Sequence, residues 1–253
     1  DYGMRIVSSS NTIINNYVPQ NMMAVSISIS GNNNLVKNNT VEWGYLGNLE
    51  ISGNNNTITG NTLTDSQDSY VTENYFGGFG LKISGSDNTA TDNLIEDNQW
   101  GIAGTSFEDN NIYNNTISNN VGGIYRMDGD YIGHYNIFTS NDYDFYIEYQ
   151  SSCIIENVTS SNISIIVNAQ SDYRNNVFFE NNTIGSLKLI GNYGGTNITL
   201  IGTANSISVG SNFELTVKNY LTIQVSLADN LVNGSDVQIK DNSDILYATS
   251  YYN

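Results

Sequence analysis

One eight-residue phrase recurs along this chain and limits what it can fold into: Asn, any residue, an apolar residue, two of any kind, Asn, any residue, an apolar residue. Its clearest copies lie at 34–41, 56–63, 88–95 and 110–117, with weaker copies at 11–18, 130–137 and 152–159 and through Val177, Phe179, Asn182 and Ile184. The second asparagine of the phrase falls at Asn16, Asn39, Asn61, Asn93, Asn115, Asn157 and Asn182. Most gaps are about 22 residues, and a fixed period of that size marks a stacked repeat architecture. The gap from Asn61 to Asn93 is about ten residues longer, and the gap from Asn115 to Asn157 is two periods with Tyr135 at its midpoint.

Each period holds short alternating runs such as Val25-Ser26-Ile27-Ser28-Ile29, Leu49-Glu50-Ile51 and Leu81-Lys82-Ile83. Alternation over a few residues predicts strands. The Gly, Asn, Asp and Ser residues between the runs are turn formers. No apolar stripe of helical period is visible. About 22 residues with three short strands make one coil of a parallel β-helix, in which each strand pairs with its counterpart one coil on, ~4.8 Å away. Like residues then stand above like residues. An asparagine at a fixed turn can pass amide hydrogen bonds up such a stack, so the seven asparagines are predicted to be a structural ladder, with no catalytic role.

Charge sets the next limits. Only 13% of the 253 residues are charged, yet the net charge is −17. A chain without a basic patch cannot neutralise nucleic-acid phosphates, and it is a poor match for an anionic membrane surface. Its apolar runs are too short for a transmembrane helix. The single Cys153 excludes an internal disulfide; it lies in a strand-like run and reads as an inert buried thiol. Asp1 fits either a fragment boundary or a mature N-terminus left by signal removal. Eight Asn-x-Ser/Thr sequons point to an extracellular setting: Asn38, Asn55, Asn114, Asn157, Asn162, Asn181, Asn197 and Asn233. Asn38, Asn114 and Asn181 each precede a ladder asparagine. With the ladder turned inward, these neighbours turn outward, where a glycan can sit; Asn157 itself is expected inside. Asn38, Asn55, Asn114, Asn181, Asn197 and Asn233 are the expected glycosylation sites.

The segment 65–80 is the long insertion, acidic and aromatic, with Tyr70, Tyr75, Phe76 and Phe79. Insertions in a solenoid map to loops on one face, often the binding face. The alternative is that its aromatics fold back onto the wall. The coils that follow carry Trp100, Tyr113, Tyr125, Tyr131, Tyr135, Tyr143, Phe145, Tyr146 and Tyr149, which read as an exposed aromatic wall. After Gly191 the phrase is lost, and 191–218 is read as atypical terminal coils closing a β-helix over 1–218. From 219 to 253 strands alternate with turn clusters without the period, as at the start of an antiparallel β-sandwich module that is incomplete within 35 residues.

Candidate chemistry is sparse. The richest local cluster is Arg126, Asp128, Asp130 and His134, with Asp142 and Asp144 half a coil on. Glycoside hydrolysis needs two carboxylates at a set separation; Asp128-Gly129-Asp130 is also an ordinary turn. Calcium is the one ion these acids could hold, at Asp128, Asp130, Asp142 and Asp144, although no calcium-loop spacing is present. No catalytic residue and no other cofactor is assigned.

The phrase Ser-Gly-Asn-Asn-Asn-x-Ile/Val-x-x-Asn-x-Ile/Leu, at 30–41 and 52–63, resembles the right-handed parallel β-helix repeats of the NosD type, over roughly residues 5 to 190. Such repeats are abundant in archaeal secreted and surface proteins. The segment Val232-x-Gly234-x-Asp236-Val237-x-Ile239 resembles the immunoglobulin-like or transthyretin-like modules attached to them, with Asn233 where those modules commonly carry proline. The copper-maturation role linked to NosD does not carry over, because no Met/His/Cys constellation accompanies the repeat. The resemblance implies an extracellular, non-enzymatic structural protein of the cell envelope, from a surface layer, sheath or filament, that adheres or assembles with itself into an oligomer, polymer or array. The alternative is a carbohydrate-binding or carbohydrate-cleaving β-helix that uses the aromatic wall and the 65–80 loop.

Overall fold

The computed structural model describes residues 3–21, 24–66, 71–72, 75–104, 109–125, 133–148, 152–156, 159–168, 176–180, 183–191, 196–201, 204–209, 213–218, 226–227, 230–231, 236–241 and 244–250; side-chain surroundings are described up to residue 145, apart from 71–76 and 133–134. The chain falls into two compact units, Asp1–Asn219 and Tyr220–Asn253.

The first unit is a solenoid of parallel strands. Each early coil has three faces. The first face stacks Met4–Ile6, Val25–Ser30, Gly47–Ser52, Phe79–Ser84, Trp100–Gly104, Gly122–Tyr125 and Tyr143–Glu148. The second stacks Thr12–Ile14, Leu35–Lys37, Thr57–Thr59, Thr89–Thr91, Asn111–Tyr113 and Gly133–His134. The third stacks Tyr17–Val18, Thr40–Glu42, Thr62–Thr64, Leu94–Glu96, Thr116–Ser118 and Ile137–Thr139. Every neighbouring pair within a face is parallel and in register, as in Val36↔Ile58 and Ile95↔Ile117. The two apolar residues of the phrase therefore become columns: Ile13, Val36, Ile58, Ala90 and Ile112 on the second face, and Val41, Leu63, Ile95, Ile117 and Phe138 on the third. Ile27, Ile29, Leu49, Ile51, Leu81, Ile83, Ile102, Ile124 and Phe145 close the core from the first face.

Between Asn16 and Asn136 the chain makes five turns, most of them 21 to 23 residues long. Beyond them the cross-section changes. Thr159–Asn168 pairs with Ile137 and Phe138 at its start and with Phe145–Glu148 at its end. One ten-residue strand thus replaces two strands and the corner between them. Parallel pairing then continues through Thr183–Gly191 and Ala204–Val209, and through Ser152–Glu156, Asn176–Glu180, Thr196–Ile201 and Phe213–Lys218. The loss of the phrase after Gly191 is therefore not a loss of the stack. Cys153 lies on the first strand of that last series, paired with Val177. The second unit contains the antiparallel pairs Ser226–Leu227 with Asn230–Leu231 and Asp236–Asp241 with Asp244–Ser250.

Candidate functional site

The asparagines come first, because they occupy most of the repeat's polar positions. At the second corner, between the second and third faces, Asn16, Asn39, Asn61, Asn93, Asn115 and Asn136 form one ladder, each Nδ2 donating to the Oδ1 of the next at 2.9–3.0 Å. The same Oδ1 also accepts the preceding asparagine's backbone N–H. The other Nδ2 hydrogen reaches back to a strand carbonyl, as from Asn61 to Val36 and from Asn115 to Ala90, both at 3.0 Å. The Oδ1 thereby satisfies the backbone N–H that the turn takes out of the strand ladder, and the Nδ2 gives a strand carbonyl a second donor. The member after Asn115 is Asn136, not the neighbouring Tyr135. Asn157 and Asn182 lie outside the described residues.

Two further ladders were not legible as such. The first asparagine of the phrase makes its own at the first corner: Asn11, Asn34, Asn56, Asn88 and Asn110. A third runs through Asn98, Asn120 and Asn141 and ends on the buried carboxylate of Asp144, 3.0 Å from Asn141 Nδ2. At its lower end the corner positions are Gly44 and Ser66. Asn48 stands in: its Oδ1 accepts from Gly44 N–H at 2.9 Å, and its Nδ2 reaches Thr64 O and Asn98 Oδ1 at 2.8 and 3.1 Å. A Cβ on residue 44 would collide with Gly47 O and crowd Asn48 Oδ1, so the glycine makes the room.

The residue before a ladder asparagine generally has positive φ: Asn15, Asn33, Asn38, Asn55, Gly60, Asp87, Asp92, Asp97, Asn114 and Asn119 all do. Glycine, asparagine and aspartate tolerate that conformation best, which explains the Asn-Asn, Asp-Asn and Gly-Asn doublets. Two aromatics break the rule, Trp43 at φ 57° and Tyr135 at φ 59°. A bulky side chain there is an outlier, strained by about 1–2 kcal/mol.

Trp43 belongs to the third corner of the early coils, where the described surface is most distinctive. It is 53% exposed, with Tyr45 48% and Tyr17 63% exposed. Tyr17 pairs with Thr40, and its hydroxyl donates to Glu42 Oε2 at 3.0 Å. That carboxylate, by the hydrogen bond first and its charge second, holds the Tyr17 phenol above its ordinary pKa. One and two coils on, Glu42 is followed in register by Thr64 and Glu96, and Trp43 by Asp65 and Asp97 at the same turn position. The long insertion also emerges here, rooted at Ser66 and Gly78; it contains the antiparallel pair Val71–Thr72 with Tyr75–Phe76, and Gly78 N–H bonds Leu46 O at 2.8 Å. The lysines and arginines of the described early coils lie elsewhere: Lys37 on the second face, and Arg5 and Lys82 on the first, where Lys82 pairs with Glu50 at 2.9 Å.

The expected exposed aromatic wall is corrected. Trp100 and Tyr125 are only 6% and 4% exposed, Phe145 is fully buried, and Tyr143 and Tyr113 are half-buried; Tyr135 alone of the described set is open. Phe79, Trp100 and Tyr125 form a second apolar cluster, with the Trp100 and Tyr125 rings 4.0 Å apart. Phe79 occupies the space above Gly47, and Trp100 that above Gly122, which a Cβ would fill. These residues pack onto the wall, as does Phe79 of the insertion. The surroundings of Tyr70, Tyr75, Phe76, Tyr131, Tyr146 and Tyr149 lie outside the description.

Among the calcium candidates, Asp142 is exposed and Asp144 is buried, its Oδ1 accepting from Asn141 Nδ2; Asp128 and Asp130 lie outside the described residues. No cluster of three metal-ligating side chains occurs among the described residues. The sequon asparagines Asn38, Asn55 and Asn114 are exposed at their turns. Asn162 and Asn197 lie on paired strands, and Asn157, Asn181 and Asn233 lie outside the described residues.

Stacked parallel strands, inward apolar columns and asparagine corners define a β-solenoid. The family description "right handed beta helix region" matches residues 1–142, more than half of the chain, and the protein belongs to that family. Neither a curated protein nor a solved structure matches it. No helix among the described residues is long and apolar enough to cross a membrane.

Proposed function

We propose that this protein is a rigid, non-catalytic scaffold of an extracellular surface, of the NosD-like repeat type seen in archaeal envelope layers, sheaths and filaments, and that it adheres or assembles with itself. The observation that carries this reading is where the repeat puts its polar residues. The groups that recur from coil to coil are turned inward and hydrogen-bonded to one another. On the first face the groups directed away from the core do not recur: its central column reads Arg5, Ser28, Glu50, Lys82, Ala103, Tyr125. What repetition preserves here is the stack and not a reactive constellation. The exposed Asn38, Asn55 and Asn114 suit N-glycans, and mass spectrometry of natively sourced protein tests them. Self-repulsion at net charge −17 opposes assembly, and divalent cations would relieve it.

Light scattering and electron microscopy of the purified chain, with and without calcium, test the scaffold reading. Growing particles or ordered arrays are expected. A strictly monomeric particle at high concentration in both conditions overturns assembly and favours the carbohydrate reading. That alternative keeps the 65–80 loop but has lost part of the aromatic wall on which it also rested, since Trp100, Tyr125 and Phe145 are buried.

A further inference from the structure

Three exposed aromatics of the early coils converge on one corner: Trp43 and Tyr45 stand on it, and Tyr17, from the start of the third face, reaches it through its hydrogen bond to Glu42. Tyr17 and Glu42 are hydrogen-bonded across successive coils, Trp43 follows Glu42 directly, and Tyr45 lies two residues beyond. We propose that this corner is a docking strip for a basic polypeptide segment, whose lysine or arginine side chains lie over the Tyr17, Trp43 and Tyr45 rings and pair with Glu42, Asp65, Glu96 and Asp97.

Three observations select this occupant. First, the patch is aromatic and not aliphatic: the exposed Val7, Ile14 and Ile137 lie at other places on the solenoid. A greasy protein interface would draw on such residues, whereas open indole and phenol faces attract cations through their ring charge distribution. Second, the charge is complementary. Carboxylates from three successive coils line the corner, and the lysines and arginine of these coils, Arg5, Lys37 and Lys82, stand on other faces. A neutral sugar could stack on the rings but would leave the carboxylates without counter-charge; a guanidinium answers both groups at once. Third, the dimensions fit. The strip from Tyr17 to Asp97 covers four coils, which at ~4.8 Å spacing span roughly 14 Å, the length of about four residues of extended peptide. The turn position itself supports selection for the ring, because other coils fill it with Gln20, Asp65, Asp97, Asn119 and Ser140.

The inference goes beyond the scaffold reading and does not rest on it: binding is read on the chain whether or not it assembles. The test uses the full chain and a capped hexapeptide of alternating arginine and serine, with an alternating glutamate–serine peptide and neutral gluco- and manno-oligosaccharides as comparisons. Only two tryptophans are present, and Trp100 is buried, so a ligand-dependent change in emission reports Trp43. The arginine peptide should give a saturable change, and calorimetry should show binding weakened about tenfold by Trp43→Asn and likewise by Glu42→Gln with Asp97→Asn. Raising salt from about 50 to 500 mM should weaken it further. Circular dichroism confirms that each variant is folded, and Tyr45→Ser provides a second probe of the rings. Absence of binding overturns the proposal. So does binding that is indifferent to both Trp43→Asn and Tyr45→Ser, which would be non-specific attraction to an acidic chain, or saturable binding of an oligosaccharide in place of the peptide.

Discussion

Asn61→Ala is the sharpest test of what holds the solenoid together. Asn61 is buried in the middle of the second-corner ladder. Its Oδ1 accepts from Asn39 N–H at 2.9 Å and Asn39 Nδ2 at 3.0 Å, and its Nδ2 donates to Val36 O at 3.0 Å. Truncation to alanine strands one buried backbone donor, on Asn39; Val36 O loses its side-chain donor but stays in the parallel strand pair with Thr57–Thr59. Asn39 Nδ2 keeps its bond to Ile13 O, and Asn61 N–H keeps its bond to Asn93 Oδ1, so the damage stays within two coils. A stranded buried donor costs about 1–3 kcal/mol, so the substitution should destabilise by about that much. Against a total of about 5–15 kcal/mol for an ordinary domain, that is a large fraction. Coils of a solenoid contact only their neighbours, so opening should centre on the lesion. Urea unfolding measures the total, and hydrogen exchange at the Asn39 and Asn61 amides measures the local part. Asn111→Thr is the control: an exposed strand position where the preceding coils carry Thr57 and Thr89, expected to stay within about 0.5 kcal/mol. If Asn61→Ala behaves like that control, the ladder contributes nothing and the reasoning fails.

Three further outcomes are expected. Trp43→Asn should raise the urea midpoint, by about 1 kcal/mol of relieved backbone strain, because asparagine already serves at this kind of turn in Asn38, Asn114 and Asn119; a clear loss of stability would mean that the indole supports the fold. Gly122→Ala should destabilise by about 1–3 kcal/mol and shift Trp100 emission, since its methyl would enter the space of the Trp100 ring; unchanged stability and emission would count against that packing. Glu42→Gln should lower the Tyr17 pKa towards 10.0, followed by ring-carbon NMR. The raised value favours the neutral phenol in the folded chain, so this contribution to stability is complete below the ordinary tyrosine pKa and is lost as pH rises through the folded one; a Tyr17 titration unmoved by Glu42→Gln would dismiss the interaction.

The repeat was legible because register in a parallel stack converts a sequence period directly into columns, so Asn16, Asn39, Asn61, Asn93 and Asn115 could be aligned without a structure. The third ladder was not, because Gly44 and Ser66 interrupt its period and Asn48 reaches the corner from a different position. Tyr135 and Asn136 were confused because the positive-φ turn residue and the ladder residue are adjacent. The aromatic wall was misread for a different reason. Strand alternation sends Tyr125 outward from a solenoid, and outward was equated with exposed; glycines at 47 and 122 instead leave room for Phe79 and Trp100 to pack along the stack. The corner aromatics did carry a signal in the sequence: Trp43 occupies a slot that other coils reserve for Gln, Asp, Asn or Ser.

The central claim is that the recurring asparagines are inward-facing hydrogen-bonded rungs. NMR of the side-chain amides tests it most directly, by the exchange of Nδ2 protons with solvent in the native protein. Those of Asn39, Asn61, Asn93 and Asn115 should be strongly protected, while those of the exposed Asn38, Asn55 and Asn114 should exchange at near-free rates. Equal, rapid exchange in the two sets would contradict the account.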